Sequence, residues 1–228
     1  MEERPRTQKD FDNWFAQSNG DPWNYNCKSI KNRLDESLGF VKKYVPVDFT
    51  GNLIELGAFN GDFTLKLCNH FRFAKIFAND ISEIAIIQAK EKLKSINNVT
   101  FVLQDLLNFN SGNIDGVKKE TVIFLLECLY YLKEEERFPA IKNLKDNYPD
   151  APLFCSAPII GKPYFTEDSL ILMMKHAGYY LENFKVLNLR KFGRFRYLLL
   201  PFANIFSAIR KAIANQVIYY FKPYEDKN

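Results

Sequence analysis

Three acidic side chains stand at or just after the ends of short apolar segments: Glu55, Asp80 and Asp105. Ligands of open α/β sheets bind beyond the carboxyl ends of the strands, so these acids are expected at one edge of a sheet. There Asp80 can accept hydrogen bonds from both hydroxyl groups of a ribose, and Asp105 can accept one from the amino group of an adenine. This pattern indicates a nucleoside-binding site.

Two glycines, Gly57 and Gly61, follow the first of these acids. Glycine adopts positive φ angles and lets the backbone approach a ligand closely. The N-terminus of the helix expected after this turn favours a negative group such as a carboxylate. A glycine turn followed by one acid is typical of any nucleoside-binding α/β protein. The further acid Asp105 narrows the choice among the classes of such proteins.

The elements that must position these residues alternate along the chain. Apolar runs predict strands at 52–56, 75–79, 99–103, 121–126 and 153–157, and an alternating pattern predicts a more exposed strand at 180–189. Helical spacing of apolar residues predicts helices at 63–71, 83–96, 134–146 and 166–177. This alternation predicts an α/β fold with a doubly wound, mostly parallel sheet.

Both ends of the chain are expected to add helices to this sheet. We divide the chain into an N-terminal helical cap segment (1–45, with a helix at 29–44), a central domain (46–200) and a C-terminal amphipathic helix with its tail (201–228). The last segment repeats apolar residues every three or four positions: Phe202, Phe206, Ile209, Ile213, Val217 and Tyr220. Packing of this helix against its own domain is favoured, with a dimer face or a membrane surface as alternatives.

Composition and charge are those of an ordinary globular protein. The chain has 228 residues, of which 47% are apolar and 25% are charged, enough for one sizeable domain. Its net charge of +4 is too small to imply a nucleic-acid partner, and we interpret the basic cluster Arg190, Lys191, Arg194 and Arg196 as a solvated loop rather than a phosphate site. No C-x-x-C pair, apolar signal core or membrane-spanning run is present. We therefore expect a cytoplasmic protein without a metal site.

Several segments together resemble the motifs of a known family. Residues 55–64 (ELGAFNGDFT) are similar to the first motif, E-x-G-x-x-x-G-x-x-T, of class I S-adenosylmethionine-dependent methyltransferases. Residues 79–82, 104–106 and 124–132 resemble the motifs of their second, third and fourth strands. An upstream D-P-W element, here 21–23, is shared with the small-molecule methyltransferases typified by the NodS nodulation N-methyltransferases. Phe59 is a departure, since many relatives have glycine there.

The resemblance implies a Rossmann-like class I methyltransferase fold and S-adenosylmethionine as cofactor. The residues that it assigns to the cofactor are Trp23, Glu55, Gly57, Ala58, Gly61, Asp80, Ile81, Asp105, Leu106 and Glu127. Those near the first motif would contact the methionine end, and those after the second and third strands would contact ribose and adenine. Trp23 and Tyr25 would close over the cofactor, because aromatic faces attract a sulfonium cation.

Four side chains are candidates to bind or deprotonate the methyl acceptor: Glu127, Tyr130, Tyr131 and His176. An amine acceptor must be neutral, and a hydroxyl group must lose its proton during attack. The expected function is methylation of an amino or hydroxyl group on a small polar metabolite, such as a sugar or sugar conjugate. The oligomeric state stays open. Nucleic acid is not an expected acceptor, since the chain has no N/D-P-P-[YF] motif.

Other interpretations of the same residues remain open. A dinucleotide-dependent oxidoreductase would need a tighter glycine spacing and would give Asp105 no role. A non-catalytic cofactor-binding subunit could partner another protein through the C-terminal helix. Locally, Glu55 could orient the loop, Asp80 could cap a helix, and His176 could be structural.

Overall fold

Residues 5–25, 27–110, 120–189 and 196–224 are described by the computed structural model. Their strands are β1 (Asn52–Leu56), β2 (Lys75–Asp80), β3 (Val99–Leu103), β4 (Thr121–Leu126), β5 (Leu153–Pro158), β6 (Tyr179–Leu189) and β7 (Ala214–Pro223). Their α-helices are α1 (Gln8–Gln17), α2 (Lys28–Val41), α3 (Asp62–His70), α4 (Glu83–Lys92), α5 (Glu134–Asn147), α6 (Glu167–His176), α7 (Arg196–Ile205) and α8 (Ser207–Ile213).

One sheet contains all seven strands in the order β3-β2-β1-β4-β5-β7-β6. Neighbours among β1 to β5 pair in parallel, whereas β7 is antiparallel to both β5 and β6. The predicted doubly wound, mostly parallel α/β sheet is confirmed. Because β1 to β4 run in the same direction, their carboxyl ends meet at one edge of the sheet.

Helices cover both faces of the sheet. Alternate residues of β4 enter two separate cores, with Ile123 and Leu125 on the side of α5 and α6. Val122 and Phe124 face the side of α2 and α3. Strands buried on both faces need apolar residues at every position, which explains their continuous apolar runs.

Helix α1 is not predicted by the sequence patterns above, although a T-x-x-D signal precedes it. The Thr7 hydroxyl accepts a hydrogen bond from the Asp10 amide (3.2 Å), and the Asp10 carboxylate accepts one from the Thr7 amide (2.9 Å). This reciprocal pair satisfies two amides of the first turn. The Ser82 hydroxyl donates to Asp12 (2.5 Å) and ties α1 to the start of α4. We refer to α1 and the turn 21–25 together as the lid.

The C-terminal segment is helical only in part, so the prediction of one amphipathic helix is wrong from Ala214 onward. Val217 and Tyr220 lie in β7, which is inserted between β5 and β6. All residues from 217 to 221 are buried. A continuous apolar run contains residues at helical spacing whatever structure it adopts, and periodicity alone does not separate the two.

Part of the basic cluster lies outside the described residues, namely Arg190, Lys191 and Arg194. Its interpretation as a solvated loop is therefore not tested. Within the described ranges, no helix is long and apolar enough to cross a membrane.

Candidate active site

A cavity of about 420 Å³ lies at the carboxyl edge of the sheet, below the lid. Its volume falls in the range of roughly 300–1,000 Å³ that is typical of ligand pockets. The sequence-predicted residues that line it are Trp23, Gly57, Asp80, Ile81, Asp105, Leu106, Glu127, Tyr130 and Tyr131. The turns after β1, β2, β3 and β4 thus converge on one space.

Asp80, the last residue of β2, is buried, with 8% of its surface exposed. One carboxylate oxygen accepts a hydrogen bond from the Phe59 amide (2.8 Å) and the other accepts one from the Ser82 amide (2.9 Å). Burial raises the pKa of Asp80 to about 6, although these hydrogen bonds lower it. The side chain that caps α4 is Ser82, not Asp80. Each carboxylate oxygen can accept twice, so Asp80 keeps acceptor capacity toward the cavity.

Asp105 follows β3 and faces the same cavity. One of its oxygens accepts a hydrogen bond from the Leu107 amide (3.0 Å), which holds the turn. The buried side-chain amide of Asn79 donates to the Gln104 carbonyl (2.8 Å) and joins the end of β2 to the end of β3. Asn79 therefore helps to set the separation between Asp80 and Asp105.

The turn after β1 is held by its own backbone. The amides of Gly57 and Ala58 both donate to the Asn79 carbonyl (2.9 and 2.8 Å), and the Gly61 amide donates to the Ala58 carbonyl (3.0 Å). Gly57 has φ +79°, and a Cβ there would lie 2.7 Å from the Cβ of Cys128. Ala58 and Gly61 are buried in the turn and do not line this cavity, but Ala58 lines a small recess beside it. The expected contact of Gly61 with the methionine end of the cofactor has to be corrected, because Gly61 instead allows α3 to pack closely on α4. The contact of Ala58 with that end stays a prediction.

Glu55 is also buried behind this turn, with 3% of its surface exposed. Its carboxylate accepts a hydrogen bond from the Thr64 hydroxyl (2.7 Å) on α3. Burial raises the pKa of Glu55 to about 8, although the Thr64 hydrogen bond opposes the shift. Glu55 lines only a small recess adjoining the cavity. These contacts favour the interpretation that Glu55 orients the loop.

Phe59 occupies the position at which many relatives have glycine. Its backbone has φ +49°, a conformation that costs a non-glycine residue on the order of 1 kcal/mol. Its buried ring packs against Phe15, Trp23 and Tyr25, with ring centroids 5.1, 4.8 and 4.6 Å away. The ring thus points into the lid and anchors the lid to the turn.

The lid also closes across the cavity onto the turn after β4. The indole N–H of Trp23 donates a hydrogen bond to the Tyr131 hydroxyl (2.7 Å). Phe11 of α1 packs edge-on against the Tyr131 ring, with centroids 5.4 Å apart. Trp23 and Tyr25, the two aromatic residues expected over the cofactor, both line the cavity on the side of the lid.

Glu127 follows β4 and is held in place from two further strands. Its carboxylate accepts hydrogen bonds from the Ser156 hydroxyl on β5 (2.9 Å) and the Gln216 side-chain amide on β7 (3.1 Å). Its own backbone has φ +60°. Gln216 was beyond sequence reasoning because β7 itself was not predicted.

Arg33 is a half-buried cation of α2 that sequence reasoning missed. It lines both the cavity and the adjoining recess. Burial lowers the pKa of its guanidinium, but the nearby Glu127 and Tyr25 more than offset this effect, so the pKa is raised. A single arginine on a polar helix carries no sequence signal for such a role.

Tyrosines form the wall opposite the lid. The rings of Tyr130 and Tyr164 meet edge-on, with centroids 5.1 Å apart. Buried Arg137 donates to the carbonyls of Tyr130 (3.4 Å), Pro163 (2.8 Å) and Tyr164 (3.3 Å), joining the two turns that carry these rings. Burial raises the pKa of Tyr130 well above its usual value, so this hydroxyl is a hydrogen-bond donor and not a base at neutral pH.

The prediction that His176 serves the acceptor has to be corrected. His176 is an exposed residue at the last position of α6. Helix α6 starts near the carboxyl edge of the sheet and runs back toward the edge where β6 begins. Its final residue is therefore at the wrong end for the cavity, and it is not among the lining residues.

Solved structures share this fold. The N-methyltransferase NodS from Bradyrhizobium japonicum, in complex with S-adenosyl-L-homocysteine, matches with a TM-score of 0.69 and 18% identity, over 96% of this chain and 100% of that chain. The magnesium protoporphyrin IX methyltransferase ChlM from Synechocystis, with bound S-adenosylmethionine, matches with a TM-score of 0.67 and 16% identity, over 95% and 97% of the two chains. The chain has the class I methyltransferase fold. The fold implied by the sequence resemblance is confirmed.

Sequence comparisons give a shorter match. No family model matches the chain. Malonyl-[acyl-carrier protein] O-methyltransferase 1 of Ilyobacter polytropus is 31% identical over 86 residues, which make up 38% of this chain. The match covers 30% of the length of that curated relative.

Proposed function

We propose that the protein transfers a methyl group from S-adenosylmethionine to an amino or hydroxyl group of a small polar metabolite, such as a sugar or sugar conjugate. The observation that carries the proposal is the convergence of Asp80, Asp105 and Glu127 on one lidded cavity. The fold supports it, since solved neighbours are methyltransferases with S-adenosylmethionine or its product bound.

The chemistry of the cavity suits the nucleoside part of this cofactor. Asp80 provides a buried carboxylate with acceptor capacity for the two ribose hydroxyls. Asp105 provides an acceptor for the adenine amino group, and Ile81 and Leu106 provide apolar surface for the ring. Each of these residues ends or follows the strand expected for its role.

Arg33 is our candidate partner for the carboxylate at the methionine end. The amides of Gly57, Ala58 and Phe59 all donate to protein acceptors, so the turn itself offers little to an anion. Arg33 brings a positive charge to the recess beside this turn. A guanidinium binds a carboxylate with two parallel hydrogen bonds.

When bound, S-adenosylmethionine supplies a methyl group activated by its sulfonium. Glu127 is the side chain that we assign to the acceptor proton, and Ser156 and Gln216 fix its orientation. Tyr130 donates a hydrogen bond to the acceptor, and the lid excludes water from the cavity. Most of the rate enhancement then comes from positioning and a dry site.

A dinucleotide-dependent oxidoreductase is disfavoured by the sheet. The common dinucleotide-binding order is 3-2-1-4-5-6, with parallel strands. Here an antiparallel β7 lies between β5 and β6. A non-catalytic cofactor-binding subunit is the alternative that the activity assay below decides.

The proposal is tested with methyl-labelled S-adenosylmethionine and a panel of amino and hydroxylated sugars and small polar amines. Label transfer to at least one acceptor is expected. The substitution Glu127→Gln should lower kcat at least tenfold and leave the affinity for S-adenosylhomocysteine within about threefold, because a positioned acid–base group typically contributes 10²–10⁴-fold. Glu136→Gln, on the first turn of α5, is the matched control and should leave kcat unchanged.

Two results would count against the proposal. Absence of both turnover and S-adenosylhomocysteine binding would overturn it entirely. Binding without turnover of any acceptor would favour the non-catalytic subunit instead.

A further inference from the structure

The two helices between β6 and β7 expose a patch of large apolar side chains. Its members are 50–71% exposed: Leu198, Phe202, Ile205 and Phe206. The first three follow at spacings of four and three residues, which places them on one side of α7. We call these four residues the apolar face.

The apolar face is held in a fixed orientation by the other side of α7. Ala203 is fully buried, and Leu199 and Leu200 pack against the main hydrophobic core. The side chain of Asn204 accepts a hydrogen bond from the Val186 amide (3.1 Å) on β6. In the next helix, buried Arg210 donates to Glu167 (2.5 Å) on α6. The exposed residues are therefore not free to turn inward.

Charge distinguishes this part of the chain from the rest. From Phe184 to Tyr224 the sequence has eight Lys or Arg residues and no Asp or Glu. Four of them pair with acids of other elements: Lys185, Arg210, Lys211 and Lys222. The other four stand in sequence directly before α7 or at its first residue: Arg190, Lys191, Arg194 and Arg196.

The helices also belong to the edge of the sheet that carries the cavity. Leu189 at the end of β6 pairs with Ala214 at the start of β7, so α7 and α8 connect these strands at the carboxyl edge. The two residues that follow, Asn215 and Gln216, line the cavity. A surface that covers the apolar face would lie close to the cavity.

We propose that the apolar face of α7 docks on an anionic membrane surface. An interfacial helix buries its apolar side in the boundary between headgroups and acyl chains, and basic residues add attraction to anionic lipids. A second copy of the chain fits less well. The four side chains fall short of the roughly 800 Å² per partner of a stable interface.

The test is flotation of the full-length protein with phosphatidylcholine vesicles, with and without phosphatidylglycerol. We expect binding to the anionic vesicles that weakens as salt is added, and little binding to phosphatidylcholine alone. The double substitution Phe202→Ser with Ile205→Ser should lower the binding constant at least tenfold. Phe73→Ser with Ile87→Ser removes two apolar residues that are 70% and 59% exposed elsewhere, and it should bind like the wild type.

Three outcomes would overturn the docking proposal: no binding to anionic vesicles, equal binding to both vesicle types, or an equal loss in both double variants. A dimer in sedimentation equilibrium that only the Phe202 and Ile205 substitutions dissolve would assign the face to a second copy instead. A further variant provides a measurement that does not depend on weakened binding. The tryptophan emission of Phe202→Trp should shift to shorter wavelength when anionic vesicles are added. None of these assays needs cofactor or turnover, so their failure is separate from failure of the proposed enzymatic function.

Discussion

The carboxyl ends of β1 to β4 and the lid above them face the same cavity but are built in different ways. At the strand ends, Asp80 and Asp105 are polar residues held by hydrogen bonds to backbone amides. The lid relies on aromatic packing, with Phe15 and Trp23 packed against Phe59 and edge-on against each other. The contrast suggests that the ligand dictates the residues of the first region, whereas the fit to its neighbours dictates those of the second.

Removing the buried acid of the first region should have the largest effect. Asp80→Ala should weaken binding of S-adenosylhomocysteine about 100-fold or more, since hydrogen bonds to charged groups contribute about 1.5–3 kcal/mol each. Isothermal titration measures the change. Asp62→Ala, at the partly exposed start of α3, is the matched control and should bind normally. A loss of less than threefold for Asp80→Ala would remove this residue from the cofactor site.

Loosening the second region should lower the free energy of unfolding. Phe59→Gly loses ring contacts that are typically worth about 3 kcal/mol but relieves about 1 kcal/mol of backbone strain, for a net loss of about 2 kcal/mol. The chain has two tryptophans, Trp14 and Trp23, and both lie in the lid, so their emission reports the lid alone. In the Phe59→Gly variant this emission should shift to longer wavelength, while the secondary structure stays that of the wild type. The control Phe109→Ala, in the hydrophobic core away from the lid, should destabilise the protein without this shift. An unchanged emission in Phe59→Gly would contradict the anchoring role of Phe59.

The dependence of stability on pH tests the first region alone, because its buried acids have shifted pKa values. The folded-state pKa of Glu55 is about 8, above its ordinary 4.5, so between these values the folded chain holds a proton that the unfolded chain has lost. The free energy of unfolding should therefore fall as pH rises through this window, by up to ~1.4 kcal/mol per pH unit. Asp80, with a pKa of about 6, adds to the acidic part of the window. Glu55→Gln should flatten the slope in denaturant titrations, and parallel curves for the two proteins would refute the assignment.

The smallest expected effect concerns the contact between the lid and the turn after β4. Trp23→Phe and Tyr131→Phe each remove one partner of a single hydrogen bond. Their double-mutant cycle in unfolding free energy should give a coupling of about 1 kcal/mol. Additive effects of the two substitutions would mean that this contact does not hold the lid.

The same comparison explains what the sequence could predict. Strands β1 to β6 lie within one residue of their predicted bounds. For β1, β2, β4 and β5 the reason is that doubly buried strands appear as continuous apolar runs. The acids at the ends of β2 and β3 could be placed because the carboxyl ends of parallel strands meet at one edge. Local pattern and overall fold agree in this part of the molecule.

The remaining features depend on contacts that are distant in sequence. Gln216 reaches Glu127 across 89 positions, and Trp23 reaches Tyr131 across 108, which no local pattern reveals. Val217 and Tyr220 fit helical spacing but lie in a strand buried on both faces. His176 illustrates an avoidable error, since a helix that follows a parallel strand ends at the opposite edge of the sheet.

The central claim is that Asp80 and Asp105 hold the nucleoside of S-adenosylmethionine. Isothermal titration of the wild type and of the Asp80→Asn, Asp105→Asn double variant with S-adenosylhomocysteine and with NAD tests it most directly. We predict saturable 1:1 binding of S-adenosylhomocysteine by the wild type, at least tenfold weaker binding by the double variant, and no binding of NAD. Equal affinity of the two proteins for S-adenosylhomocysteine, or binding of NAD in its place, would contradict the claim.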